Sequence, residues 1–196
     1  MSSLQDTYSA HLKAIRKDFF AFRNGIIASK LRNAGDPHAI IMGCLLVDIM
    51  GITDRAREAI GDEVDLATVA QELWNDTNSR ECRLAAPMLF PAGLMSCQLA
   101  LTWCKGIETT EVADNICHKL LRHIADSQEV MNSLITQEDM MAKYTGYRLM
   151  LNLILLGKLQ VTQALKTSVE HEAAMKKHPA LTLLLNDVIE AIEETL

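Results

Sequence analysis

Residues 73–89 read LWNDTNSRECRLAAPML, and this stretch decides the fold. Trp74 closes an apolar run, residues 75–79 are polar, and a second apolar run begins directly after Arg80 and Glu81. Turn-forming residues between two apolar runs of helical spacing predict two helices joined by a tight connection. Helices with so short a connection pack as antiparallel neighbours. The stretch therefore predicts one bend in a stack of paired helices.

Further signals for the starts and ends of helices lie toward the N-terminus. Asp36 suits an N-cap and Pro37 the first helical position, so we expect a helix from there to about Gly51. Thr53 then caps a short helix that Gly61 ends, and the next acidic residue able to cap a helix is Asp65.

Toward the C-terminus, Thr109 or Thr110 caps a long helix whose apolar stripe runs to residue 124. A capping box that contains Asp139 opens a very apolar helix over residues 139–156, and Gly157 closes it. Alternating runs of β-branched and aromatic residues, which would indicate strands, are missing. The sequence thus predicts an all-α protein.

About ten helices are expected, in antiparallel pairs that form either a closed bundle or a solenoid. The segments 66–89 and 130–155 both consist of a helix, a polar turn, a charged start and an apolar helix. Such repetition favours an α-α superhelix of HEAT-like repeats. With 196 residues, one domain over 1–196 is expected, ending in a C-terminal capping helix at 179–196.

The net charge of −6 argues against a nucleic-acid-binding surface, which needs clustered Lys and Arg. Basic residues are nevertheless concentrated in 1–35 and in 148–177, up to Lys177. In a coiled stack of helices these two stretches could share one face. The alternative is an ordinary solvated outer surface.

The five cysteines are odd in number and never spaced as C-x-x-C, so reduced and buried thiols are expected. No leader pattern and no apolar run of membrane-spanning length are visible, which predicts a cytoplasmic protein without membrane contact. His118 and His123 are five residues apart, which does not suit two metal ligands on one helix face. We expect a monomer with no cofactor and no metal.

Three segments carry a family resemblance: GITDRAR, ELWNDTNSRECRLAAPML and IETTEVADNICHKLL. In order and spacing they resemble the HEAT-like DNA alkylation repair family, the alkylpurine DNA glycosylases of AlkD type. The resemblance is strongest over residues 36–157. It implies double-stranded DNA as the partner and excision of alkylated purine bases as the activity.

The family uses a carboxylate on its concave face to stabilise positive charge on the deoxyribose as the base leaves, and the matching residue here is Asp114. A carboxylate beside an oxocarbenium-like centre is worth several kcal/mol, on the order of the electrostatic terms known for other enzymes. His118 and Arg122 continue its row at helical spacing. The alternative is a surface ladder of i, i+4 contacts.

The substrate-binding positions depart from the family's pattern. Thr110 stands where the family has a tryptophan, and Tyr144 stands where active members carry a phosphate-holding arginine. Lys143 and Arg148 are close by as further candidates. Arg148 lies one turn later and would reach a phosphate only if its helix had slid; otherwise it would pair with an acidic residue of the next repeat.

Two functions follow from these residues. The first is a DNA alkylation repair protein that binds DNA in a concave groove and retains Asp114 as its catalytic residue. The second is a non-catalytic helical scaffold that binds a protein or undamaged DNA, as the missing aromatic residue at Thr110 and the acidic net charge would favour.

Overall fold

The computed structural model describes residues 2–176 and 178–196, with side chains from residue 8 onward, and Lys177 lies outside the described residues. Within these ranges every regular element is helical, so the predicted all-α class is confirmed. Eleven α-helices occur in the described chain: α1 (Ser2–Ala21), α2 (Gly25–Asn33), α3 (Leu46–Ile60), α4 (Glu63–Asn75), α5 (Arg80–Leu89), α6 (Cys97–Cys104), α7 (Thr110–Lys119), α8 (Ser127–Ile135), α9 (Met140–Leu155), α10 (Gln163–Ala174) and α11 (Pro179–Thr195).

The chain divides into two compact units, Met1–Met95 and Ser96–Leu196. In the first unit, α5 lies at the centre and packs against α3 and α4, while α1 packs against the same two helices. All ten residues of α5 are buried. The helix that follows the polar turn of the quoted stretch is thus the core of its unit.

In the second unit the central helix is α9, against which α7, α8 and α11 pack. Helix α6 packs on α8, and α10 packs on α11. Both segments that looked alike in sequence, 66–89 and 130–155, are helix–turn–helix pairs whose second helix is central. None of the described helices is both long and apolar enough to span a membrane.

The charged start of α5 is a buried ion pair. Glu81 is fully buried, and its carboxylate accepts hydrogen bonds from the backbone N–H groups of Met42, Gly43 and Cys44 at 3.0, 2.9 and 3.3 Å. Arg80 donates to Glu81 at 3.0 Å and to the Cys44 carbonyl at 3.3 Å. Both charges therefore serve to bind a neighbouring segment of backbone.

This contact corrects the helix expected from Asp36 to Gly51. No α-helix covers residues 36–45, and α3 starts only at Leu46 and runs through Gly51 to Ile60. The N–H groups that a helix would bond internally are taken by Glu81, and Gly43 adopts φ +76°. The local capping signal was real, but a buried carboxylate distant in sequence outcompetes it.

The other helix ends follow the sequence more closely. Gly61 and Gly157 adopt positive φ at the ends of α3 and α9, as expected of terminators. Thr109 is the N-cap of α7 and Asp139 that of α9, although the helix after Thr109 already stops at Lys119. Two expected caps were wrong: Thr53 is buried inside α3, and α4 is capped by Asp62 rather than Asp65.

Candidate functional site

Helices α7 and α9 pack side by side within the second unit and bring Asp114 together with Tyr144 and Arg148. The Thr109 hydroxyl caps α7 by accepting a hydrogen bond from the Val112 N–H at 3.2 Å. The apolar stripe of α7 faces the core, which leaves Asp114 at the border between core and solvent.

The Asp114 carboxylate is held by one of its two oxygens. Oδ1 accepts a hydrogen bond from the Tyr144 hydroxyl at 3.0 Å and another from Arg148 Nε at 2.6 Å. Oδ2 accepts none from any residue that the structure describes. The Asp114 side chain is 41% exposed, whereas Tyr144 as a residue is only 5% exposed. The carboxylate is thus fixed through one oxygen, and its side chain is partly open to solvent.

The protonation states of the two donors are set by this contact. Burial raises the pKa of the Tyr144 hydroxyl, and the charge of Asp114 raises it further, so Tyr144 stays protonated as a donor. Burial alone would lower the pKa of Arg148, but its hydrogen bond to Asp114 and the charge of that carboxylate outweigh burial and raise it. Both groups therefore remain donors to Asp114 at neutral pH.

A row of basic and imidazole groups continues from Asp114 along the same side. Arg122 lies between two imidazoles: its Nε donates to His123 Nε2 at 3.1 Å, and its Nη2 is 3.4 Å from His118 Nε2. Burial lowers the pKa of both histidines, and the Arg122 charge lowers it further, so both rings are mainly neutral at pH 7. Lys158 Nζ donates to the Arg122 carbonyl at 2.9 Å.

The remaining predicted site residues lie apart from this cluster. Lys143 forms an ion pair with Glu172 of α10 at 2.6 Å, and both side chains are 13% exposed. Thr110 is the first residue of α7 and partly exposed, and among the described residues no side-chain hydrogen bond joins it to Asp114. Arg148 does pair with a carboxylate, but its partner is Asp114 of the preceding helix α7 rather than an acidic residue of the next repeat.

Sequence reasoning had placed Lys158 only in a basic stretch and had not linked it to Arg122. Its position follows from Gly157, whose positive φ ends α9 and turns the chain back toward residues 121–123. Gly157 was recognisable in the sequence as a helix terminator, but the contact between Lys158 and Arg122 was not. Among the described residues no group of His, Cys, Asp or Glu is arranged to hold a metal ion.

Comparison with known proteins gives this cluster its context. No curated protein and no solved structure matches the chain. One family model, described as DNA alkylation repair enzyme, matches residues 15–179, which include Asp114, Tyr144 and Arg148. Because this match covers most of the chain, the chain belongs to the DNA alkylation repair enzyme family.

Proposed function

We propose that the protein binds alkylated duplex DNA on the surface formed by α7 and α9 and hydrolyses the N-glycosidic bond of an alkylated purine. Asp114 is the catalytic residue of this proposal. The observation that carries it is the partly exposed Asp114 carboxylate, which two donors hold through Oδ1 while Oδ2 is not hydrogen-bonded to any described residue. Family membership supports the class of reaction.

The main requirement of this reaction is a negative charge fixed beside the sugar. Alkylation of a ring nitrogen makes the purine cationic, so the base leaves as a neutral molecule when its bond to C1′ breaks. Positive charge then develops on the deoxyribose, water adds at C1′, and a proton is released to solvent. A carboxylate beside the sugar stabilises this charge, and Asp114 Oδ2 is the atom free to do so.

Arg148 compensates part of the Asp114 charge in the free protein. Its Nε donates to Asp114, and the guanidinium also interacts with Tyr144, which leaves further N–H groups for another acceptor. A DNA phosphate beside the guanidinium would share the positive charge of Arg148. The carboxylate would then become more effective when DNA is bound, because less of its own charge is compensated.

A second candidate is binding without excision, to undamaged DNA or to a protein. Two observations favour it. Thr110 provides no aromatic face one turn before Asp114, and the carboxylate is already paired with Arg148 in the free protein. In this case Asp114 would only hold Arg148 in place for a phosphate or an acidic partner group.

The test is release of methylated purines from a duplex treated with a methylating agent, compared between the native chain and Asp114→Asn. We expect the substitution to lower the rate by about 100-fold, since one preorganised electrostatic contact is worth roughly that factor. Asp187→Asn, on the exposed side of α11, carries the same charge change and is the matched control. It should leave the rate unchanged.

Binding of the same duplex is measured in parallel by fluorescence anisotropy. Duplex binding without any release above the uncatalysed rate would favour the second candidate. Equal release by the native chain and Asp114→Asn would exclude Asp114 as the catalytic residue. Absence of both binding and release would overturn the DNA-based function.

A further inference from the structure

A pocket lies at the N-terminus of α8, one helix further along the chain from Asp114. Its volume is about 610 Å³, and its wall includes His123, Lys158 and the first turn of α8. Asp114, Tyr144 and Arg148 do not line this pocket. The pocket is therefore separate from the Asp114 cluster.

The first turn of α8 offers unused donors to this pocket. The backbone N–H groups of Ser127, Gln128 and Glu129 bond to no acceptor in the described chain, and the N-cap Asp126 makes no side-chain cap. Ser127 is only 6% exposed, lines the pocket, and its hydroxyl bonds to no residue that the structure describes. Converging N–H groups at a helix N-terminus favour an anion.

Lys158 adds a fixed positive charge. Its Nζ is tied to the Arg122 carbonyl at 2.9 Å, and its own carbonyl accepts a hydrogen bond from Gln128 Nε2 at 2.6 Å. An ammonium group has three donors, so the bond to Arg122 leaves two for a ligand. Lys158 is therefore held at the pocket, and two of its N–H donors remain for a ligand.

Two carboxylates also line the pocket, Asp126 and Glu129. Burial raises the pKa of Cys97 at the start of α6, and the charge of Glu129 raises it further, with a smaller effect of Asp126. The Glu129 carboxylate is thus close enough to the first residue of α6 to act on it electrostatically. These charges limit the pocket to a single anionic group bound weakly, as suits a contact that adds to others.

The pocket continues the row that begins at Asp114. Arg122 joins the two places, since its guanidinium contacts His118 and its carbonyl binds Lys158. We infer that the N-terminus of α8, with Ser127 and Lys158, binds a backbone phosphodiester of the DNA whose damaged base lies at Asp114. This inference rests on the proposed function and adds a second phosphate contact to the one expected at Arg148.

The test combines NMR and affinity. The amide signals of Ser127, Gln128 and Glu129 in the native chain are followed during titration with a short duplex and, separately, with inorganic phosphate. Affinity for the duplex is compared between Ser127→Asp and Ser168→Asp. An aspartate in the first turn of α8 suits the helix dipole but repels a phosphate, whereas Ser168 is exposed on α10.

We expect the three amides to shift with the duplex, and Ser127→Asp to bind about ten-fold more weakly, with a shallower dependence on salt. Ser168→Asp should bind within about two-fold of the native chain, as a surface change away from the contact should. Duplex binding that Ser127→Asp leaves intact, with unshifted amides, would overturn the site while the proposed function stands. Amides that respond to inorganic phosphate alone would overturn the assignment to DNA. Absence of duplex binding by the native chain would remove the proposed function itself.

Discussion

At the scale of single residues, two carboxylates show how surroundings decide the role of the same chemical group. Glu81 is fully buried and accepts hydrogen bonds from three backbone amides and from Arg80. Asp114 is also held by an arginine, but it is 41% exposed and keeps one oxygen free. Glu81 can therefore only stabilise the fold, whereas Asp114 is able to meet a ligand.

Glu81→Gln should lower the free energy of unfolding by about 2–4 kcal/mol, because an amide cannot accept all these hydrogen bonds and Arg80 loses the carboxylate of its buried ion pair. Urea unfolding followed by circular dichroism measures the change. Glu58→Gln on the exposed side of α3 is the control, with an expected effect within about 0.5 kcal/mol. A similar effect of both substitutions would contradict the structural role of Glu81.

At the scale of elements, two glycines inside helices have opposite roles. Gly146 lies in α9 where the end of α8 crosses it: an added Cβ would lie 2.7 Å from Ile135 Cγ2 and 3.0 Å from the Ile135 backbone nitrogen. Gly51 lies in α3, where an added Cβ would meet only the Arg55 side chain at 3.6 Å. One glycine permits close packing, and the other only weakens its helix.

Gly146→Ala should therefore lower the free energy of unfolding by about 1–2 kcal/mol, since the Ile135 backbone cannot move aside. Gly51→Ala should raise it by about 0.5–1 kcal/mol through better helix propensity. Urea denaturation of the two variants beside the native chain gives both values. If Gly146→Ala raised the free energy of unfolding, as Gly51→Ala should, the packing at Gly146 would be looser than its contacts imply.

At the scale of the whole molecule, each of the two compact units has a core of its own around one central helix. Both cores contain buried thiols: Cys44 and Cys82 in the first unit, Cys104 and Cys117 in the second. Burial raises the pKa of Cys44 and Cys104 to about 12, which suppresses the reactive thiolate. Cys97 is partly accessible. The thiols therefore report on each unit separately.

A thiol reagent at pH 8 should label Cys97 in the native protein and the four buried cysteines only after unfolding. Pulsed labelling across a urea gradient, read by peptide mass spectrometry, gives the midpoint for each unit. Coincident midpoints for Cys44 and Cys104 would support the single domain expected over residues 1–196. Separate midpoints would show two independently folding units. Rapid labelling of Cys44 or Cys104 in native protein would contradict the packing of that unit's core.

The sequence by itself determined the helical class, the central turn at 75–79 and several helix ends. These features depend on spacing, capping and apolar periodicity, which act over one or two turns of chain. A resemblance in three short segments was enough to name the family that the comparison then confirmed.

Only the tertiary structure decided which charges meet. Residues 36–45 carry a helix start signal, yet their amides bind Glu81, some 37 to 39 residues away. Arg148 pairs with Asp114, 34 residues away, while Lys143 turns to Glu172 on α10. At Glu81 the hydrogen bonds of a buried charge outweigh the local preference, because an unpaired buried charge costs more than a lost helical turn. Which charges meet, buried or partly exposed, depends on the packing between helices that are distant in sequence.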